Sequence, residues 1–111
     1  MANIIPTAFK SELLSGTHNF ANGGNSFKLA LYTSNPYSAS STTYSTSNEV
    51  SSSGTSYSAG GQTLDSQAVA TTSTTAHVDF ADETFSSVTL TAAFAAIYND
   101  TNSDKLCLVL D

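Results

Sequence analysis

Apolar residues in this chain recur with the two-residue period of β-strands. Across residues 26–33, Phe27, Leu29 and Leu31 alternate with Lys28, Ala30 and Tyr32, the spacing of a strand with one buried face. Residues 76–80 alternate in the same way. Residues 94–98 and 105–110 are nearly continuous apolar runs, which read as buried strands. Residues 63–70 and 85–92, the latter carrying Phe85, Val88 and Leu90, complete the set. From Leu64 onward the candidates return roughly every ten residues, as they do in all-β domains. Between the last two runs lies Asn99-Asp100-Thr101-Asn102-Ser103-Asp104, a turn sequence that joins them into an antiparallel hairpin.

One helix is predicted, over residues 7–16. Thr7 stands in the capping position, Phe9 and Leu13 lie four apart, and Gly16 is the stop. An isolated helix so short does not hold in water, so it must dock on the sheet or on a partner. Glycine-containing turns are expected at residues 21–25 and 59–62. Residues 34–58 are dominated by Ser, Thr, Asn and Tyr. Tyr37, Tyr44, Val50 and Tyr57 punctuate them, the mark of a long but ordered loop. The whole is a single all-β domain over residues 1–111. It has an N-terminal arm (1–6), a short N-terminal helix (7–16), and a small antiparallel sandwich or barrel (17–111) that carries the loop at 34–58.

Composition narrows the function classes. Only 11% of residues are charged, against about 25% in an average domain. Hydroxyls and amides fill the gap, as in extracellular and virion β-proteins. Three lysines, no arginine and a net charge of −6 leave no basic stripe to neutralise phosphates, so nucleic acid is not an expected partner. No apolar run approaches the ~20 residues of a membrane span, and no signal peptide is visible. No membrane partner is expected, and the expected route out of a cell is as part of a particle. A core built from 111 residues is modest, and oligomerisation would relieve its marginal stability.

The chemistry-bearing residues form no constellation that the spacing supports. Cys107 sits in an apolar strand without a neighbouring base, as a small core residue would. His77 and Asp79 share a strand face, but structural zinc wants four ligands. Asp100 to Asp104 begin like a calcium loop and lack its later glycine and glutamate. Asp79, Asp82 and Glu83 read as a solvated strand end. No catalytic residue, metal ligand or cofactor is expected, and no enzyme activity. Tyr37, Tyr44 and Tyr57 serve either as a recognition surface or as anchors that pack the loop down. Ile4-Ile5-Pro6 is the other candidate contact segment, because exposed isoleucines are costly unless covered.

Five stretches resemble a family of small virion structural proteins of tailed phages, common among aquatic and cyanobacterial phages. They are Phe9-Lys10-Ser11-Glu12-Leu13-Leu14-Ser15-Gly16-Thr17-His18, Ser26-Phe27-Lys28-Leu29-Ala30-Leu31-Tyr32-Thr33, residues 44–64, Val78-Asp79-Phe80-Ala81-Asp82 and Ala96-Ile97-Tyr98-Asn99-Asp100-Thr101. The resemblance covers nearly the whole chain and its motifs are structural. It implies a capsid decoration (cement) protein on the virion's outer surface. The implied partner is the major capsid protein, and the implied form is a homo-oligomer, expected as a trimer. Ile4, Ile5, Pro6, Tyr37 and Tyr44 are the expected contacts. The alternative is a neck or tail-associated module, either structural or binding a receptor or glycan. Relatives continue beyond the last strand, so a neighbouring subunit is expected to cover the edge at residues 105–110.

Overall fold

The computed structural model describes residues 3–53, 56–82, 84–85 and 90–111. It is mostly β, with two antiparallel sheets and one short helix. The helix α1 (Thr7–Leu14) is followed by β1 (Phe27–Tyr32), β2 (Gln62–Thr63), β3 (Ala68–Thr72), β4 (Thr75–Asp79), β5 (Phe94–Asn99) and β6 (Lys105–Leu110). The main sheet has the order β2-β1-β5-β6. β5 and β6 pair antiparallel across the 100–104 turn, as the sequence predicts. β3 and β4 form a separate hairpin with Val69 opposite Val78 and Ala70 opposite His77.

The expected strand at 63–70 is broken in two. β2 ends at Thr63, and the chain turns through Ser66, whose φ of 53° is left-handed, before β3 begins. The buried Gln67 holds this turn, its amide donating to the carbonyls of Ala21 and Asn25. The expected strand at 85–92 falls largely on residues 86–89, which lie outside the described residues. Thr7 is not the helix cap. Pro6 takes that place, its fixed φ suiting the entry to a helix, and the backbone N–H of Thr7 donates to Ala39. The helix ends at Leu14, and Gly16 follows in left-handed conformation.

The main sheet is one layer with a core on each side. On one face Ala30, Tyr32, Ala96, Tyr98, Leu106 and Val109 pack with Tyr37, Ile4 and Tyr44 from the loop and arm. On the other, Phe27, Leu29, Ile97 and Cys107 meet Phe9 of α1, Phe20, Leu64 and Phe80. Phe20 stacks on Phe27 at 4.2 Å between centroids, with Phe80 edge-on to both. A register shift in the β5–β6 ladder explains how Cys107 and Leu108 serve the same face. Ile97 pairs with Leu108 and Tyr98 with Leu106, so Cys107 is the extra, bulged residue.

The free edge of β6 is covered from within the chain, not left to a neighbour. Ile4 exchanges backbone hydrogen bonds with Val109, and residues 42–44 bridge to the start of β6. At the arm's end the Asp111 N–H donates to the side chain of Asn3.

Gly61 is required where the chain enters β2 alongside β1. Its φ is +81°, and a Cβ there would lie 1.8 Å from the carbonyl oxygen of Leu29. Gly23 has a similar φ of +83° with open space around it. Gly23→Ala is therefore expected to cost only the left-handed penalty, about 1–2 kcal/mol. Gly61→Ala adds a backbone collision and is expected to cost at least about 3 kcal/mol. Urea denaturation of the two variants checks the ranking, and equal losses would contradict it.

Candidate functional site

Three assemblies of side chains stand out, and they differ in what they can do. The first gathers the chain's nucleophile, a histidine and a carboxylate. His18 follows α1, Glu12 is on α1, and Cys107 sits at the β6 bulge. The Nε2 of His18 lies 2.8 Å from the Glu12 carboxylate, and the thiol is 4.0 Å from Nδ1. In outline this is a Cys–His–Glu array that spacing along the sequence did not reveal, because 89 residues separate the thiol from the imidazole. Its details run against nucleophilic chemistry. The Asn99 side-chain oxygen accepts from the N–H groups of Thr101 and Asn102, which fixes the amide. The amide nitrogen then donates to Nδ1 at 2.9 Å, and Nε2–H is left for Glu12. The imidazole has no free lone pair for the thiol. Cys107 is fully buried, and burial, with the Glu12 charge, pushes its pKa up to about 12. An activated cysteine needs the reverse. The array works as a polar rivet: Glu12, which also takes Lys105 at 3.5 Å, ties the helix to β6, and Asn99 organises the turn.

The second assembly is the tyrosine loop. Glu49 accepts from the hydroxyls of Tyr44 and Tyr57 and from the N–H of Gly60, the last two at 2.7 Å. Tyr44 stacks on Tyr98, whose hydroxyl donates to the carbonyl of Gly60. Tyr32 and Tyr37 bond to each other at 2.6 Å and together grip the backbone of Ser45. Of the two expected loop contacts, Tyr37 is only 8% exposed and Tyr44 is half-buried with its hydroxyl engaged. Both pack the loop down onto the sheet. The reason is that a Ser-rich loop has few apolar groups with which to hold itself on the sheet, so the tyrosines carry that load.

The third assembly is an open apolar groove of about 500 Å³, lined by Ile5, Phe9, Leu13, Val69, Val78 and Leu108 among others. One wall is α1, the floor is the sheet, and the other wall is the β3–β4 hairpin. Leu14, the last residue of α1, is 92% exposed. Every residue of β3 and β4 is exposed, and no helix or other strand among the described residues packs directly against them. The expected contact segment divides here. Ile4 pairs with β6 and its side chain enters the core, while Pro6 is fully buried. Ile5, pointing the other way by the alternation of an extended chain, is 53% exposed and lines the groove. Ile4 and Pro6 are thus turned inward, and Ile5 is the one of the three that stands exposed at the groove.

Metal chemistry finds no cluster of three or more His, Cys, Asp or Glu groups among the described residues. Glu83 of the predicted acidic group lies outside them. In the 100–104 turn, burial and the neighbouring Asp100 raise the pKa of Asp104. No helix is long and apolar enough to cross a membrane among the described residues. Compared with family models, curated proteins and solved structures, the chain gives no match.

All five tyrosines have raised pKa values, with burial the leading cause in each. A folded pKa above the unfolded value near 10 stabilises the fold fully below pH 10, and that stability is lost as pH rises beyond it. Absorbance at 295 nm is expected to show little tyrosinate until the chain unfolds in alkali, then all five in one cooperative step. A gradual titration near pH 10 would contradict the anchoring role. Glu49→Gln, which sets an amide N–H against a donor, is expected to cost about 2 kcal/mol in thermal or urea unfolding.

Proposed function

We propose that this chain is an assembly module of a tailed-phage virion, a decoration protein that binds the outer surface of the capsid shell through the major capsid protein and stabilises it. The observation that carries the reading is the groove with its overhanging hairpin. A small acidic protein that leaves Ile5, Leu13, Val69 and Val78 exposed around one concavity is incomplete alone, since apolar patches of this kind mark protein contacts. The resemblance in the sequence supplies the context of a particle. The loop side of the sheet is rich in Ser and Thr hydroxyls and suits the outer, wet face. The receptor-binding alternative drew on exposed loop tyrosines, and the inward packing of Tyr37 and Tyr57 favours the capsid reading over it.

Stabilisation of a shell by such a module follows from burial. Covering apolar area contributes about 25 cal/mol per Å² before the costs of ordering. A bridge across two capsid subunits adds this to the subunit contact itself.

Quantitative mass spectrometry of purified virions tests the reading. Hundreds of copies per particle are expected, and a handful or none would overturn it. Ile5→Lys combined with Leu13→Lys places two charges on the groove without touching the core. That variant is expected to keep its fold and to co-sediment with capsid shells at least about tenfold more weakly, the loss of roughly 1.4 kcal/mol. Undiminished binding would place the contact elsewhere.

A further inference from the structure

We infer that the β3–β4 hairpin is a self-association device: two copies of this chain pair edge to edge through β3, in antiparallel register about Ala70, to make one four-stranded sheet. The inference rests on the reading of the hairpin side as an assembly surface and names its first occupant, a second copy.

The hairpin is built to need more strands. A lone two-stranded ribbon is marginal in water, and three or more strands with an apolar face are needed for independent stability. Here both strands are exposed along their full length. The same chain guards its other sheet with care: Ile4 and residues 42–44 cover β6, and the opposite edge strand, β2, is two residues long. On the hairpin no such guard is found among the described residues. From Ser66 to Val78 there is no Lys, Arg, Asp, Glu or Pro, the residues that natural edge strands use to repel pairing.

The absence of charge lets a second copy approach here and selects the strand. Two chains of net charge −6 repel each other except where an uncharged surface lets them meet. The hairpin is that surface, and β3 (Ala68-Val69-Ala70-Thr71-Thr72) holds no ionisable group, whereas β4 carries His77 and Asp79.

Register follows from the ladder. The two-residue turn at Ser73-Thr74 makes Thr72 and Thr75 a hydrogen-bonded pair, so Ala70 and His77 are another. The backbone groups of β3 that point outward therefore belong to Val69 and Thr71. Centring the twofold pair on Ala70 sets Val69 of each copy opposite Thr71 of the other, so the outward groups meet. Val69, Thr71, Ala76 and Val78 share one face of the hairpin, and Val69, Ala76 and Val78 line the groove. Pairing makes their apolar surface continuous across four strands. Identical edges in antiparallel contact close at two copies, which favours a dimer over the threefold arrangement the resemblance suggests.

The central pair gives a direct test. Facing residues of a non-hydrogen-bonded pair have Cα atoms about 4.5 Å apart, within disulfide reach. The native Cys107 is buried and gives little background. Oxidised Ala70→Cys is expected to form a covalent dimer rapidly, His77→Cys at least tenfold more slowly, and the unmodified chain not at all. In sedimentation equilibrium the unmodified chain is expected to move from 11.5 kDa towards twice that mass as concentration rises. Val69→Lys, with an unchanged circular dichroism spectrum, is expected to weaken that association at least about tenfold. A monomer at all concentrations, or equal cross-linking at positions 70 and 77, overturns the inference. Either result leaves the particle copy number to judge the assembly reading separately, since a hairpin reserved for the capsid would still give hundreds of copies.

Discussion

The carboxylate of Glu49 holds together a part of this protein that hydrophobic burial could not. A loop of more than twenty residues made of serine, threonine and asparagine has too little hydrocarbon to seat itself on a sheet. Glu49 gathers Tyr44, Tyr57 and the Gly60 N–H around one charge, and the tyrosine rings then supply the missing apolar area. Hydrogen bonds to a charged acceptor are stronger than neutral ones, and partial burial strengthens them further. Because Gly60 leads into Gly61 and β2, the same carboxylate sets where the chain pairs with β1. The cover of one core face and the edge of the sheet both depend on it.

The other face is held by different means. Phe20, Phe27 and Phe80 form an aromatic stack, and the Glu12–His18–Asn99 bonds tie the helix and the 100–104 turn to it. The bulge at Cys107 lets β6 supply two consecutive residues to this side. These devices finish only part of the face. Leu29, Ile97 and Leu108 remain half-buried, and the groove lies where the cover ends.

Much of the architecture was legible in the sequence, because a two-residue period is a local signal. β1, β4, β5 and β6 fall where alternation and apolar runs put them, and the 100–104 turn lies where its residue types demand. What was not legible is long-range. Nothing near Thr63 announces that Gln67 will bond to residues more than forty positions earlier and split a strand. Nothing in the tyrosine spacing tells a presented ring from a buried one, since that depends on Glu49. The arm's two isoleucines look alike in sequence, and only pairing with Val109 assigns one to the core and one to the surface. The groove gave the faintest signal, because its wall is a hairpin whose strands look like any other half-buried pair until the structure leaves them uncovered.

One sheet separates the hydroxyl-rich loop from the hydrocarbon groove. A strand layer with its side chains is only about 10 Å thick, so water-loving and water-avoiding surfaces stand back to back across a very short distance. Such a body has a wetting polarity. At any boundary between solvent and a drier surface, one orientation is favoured over its reverse, with no specific contact needed to choose it.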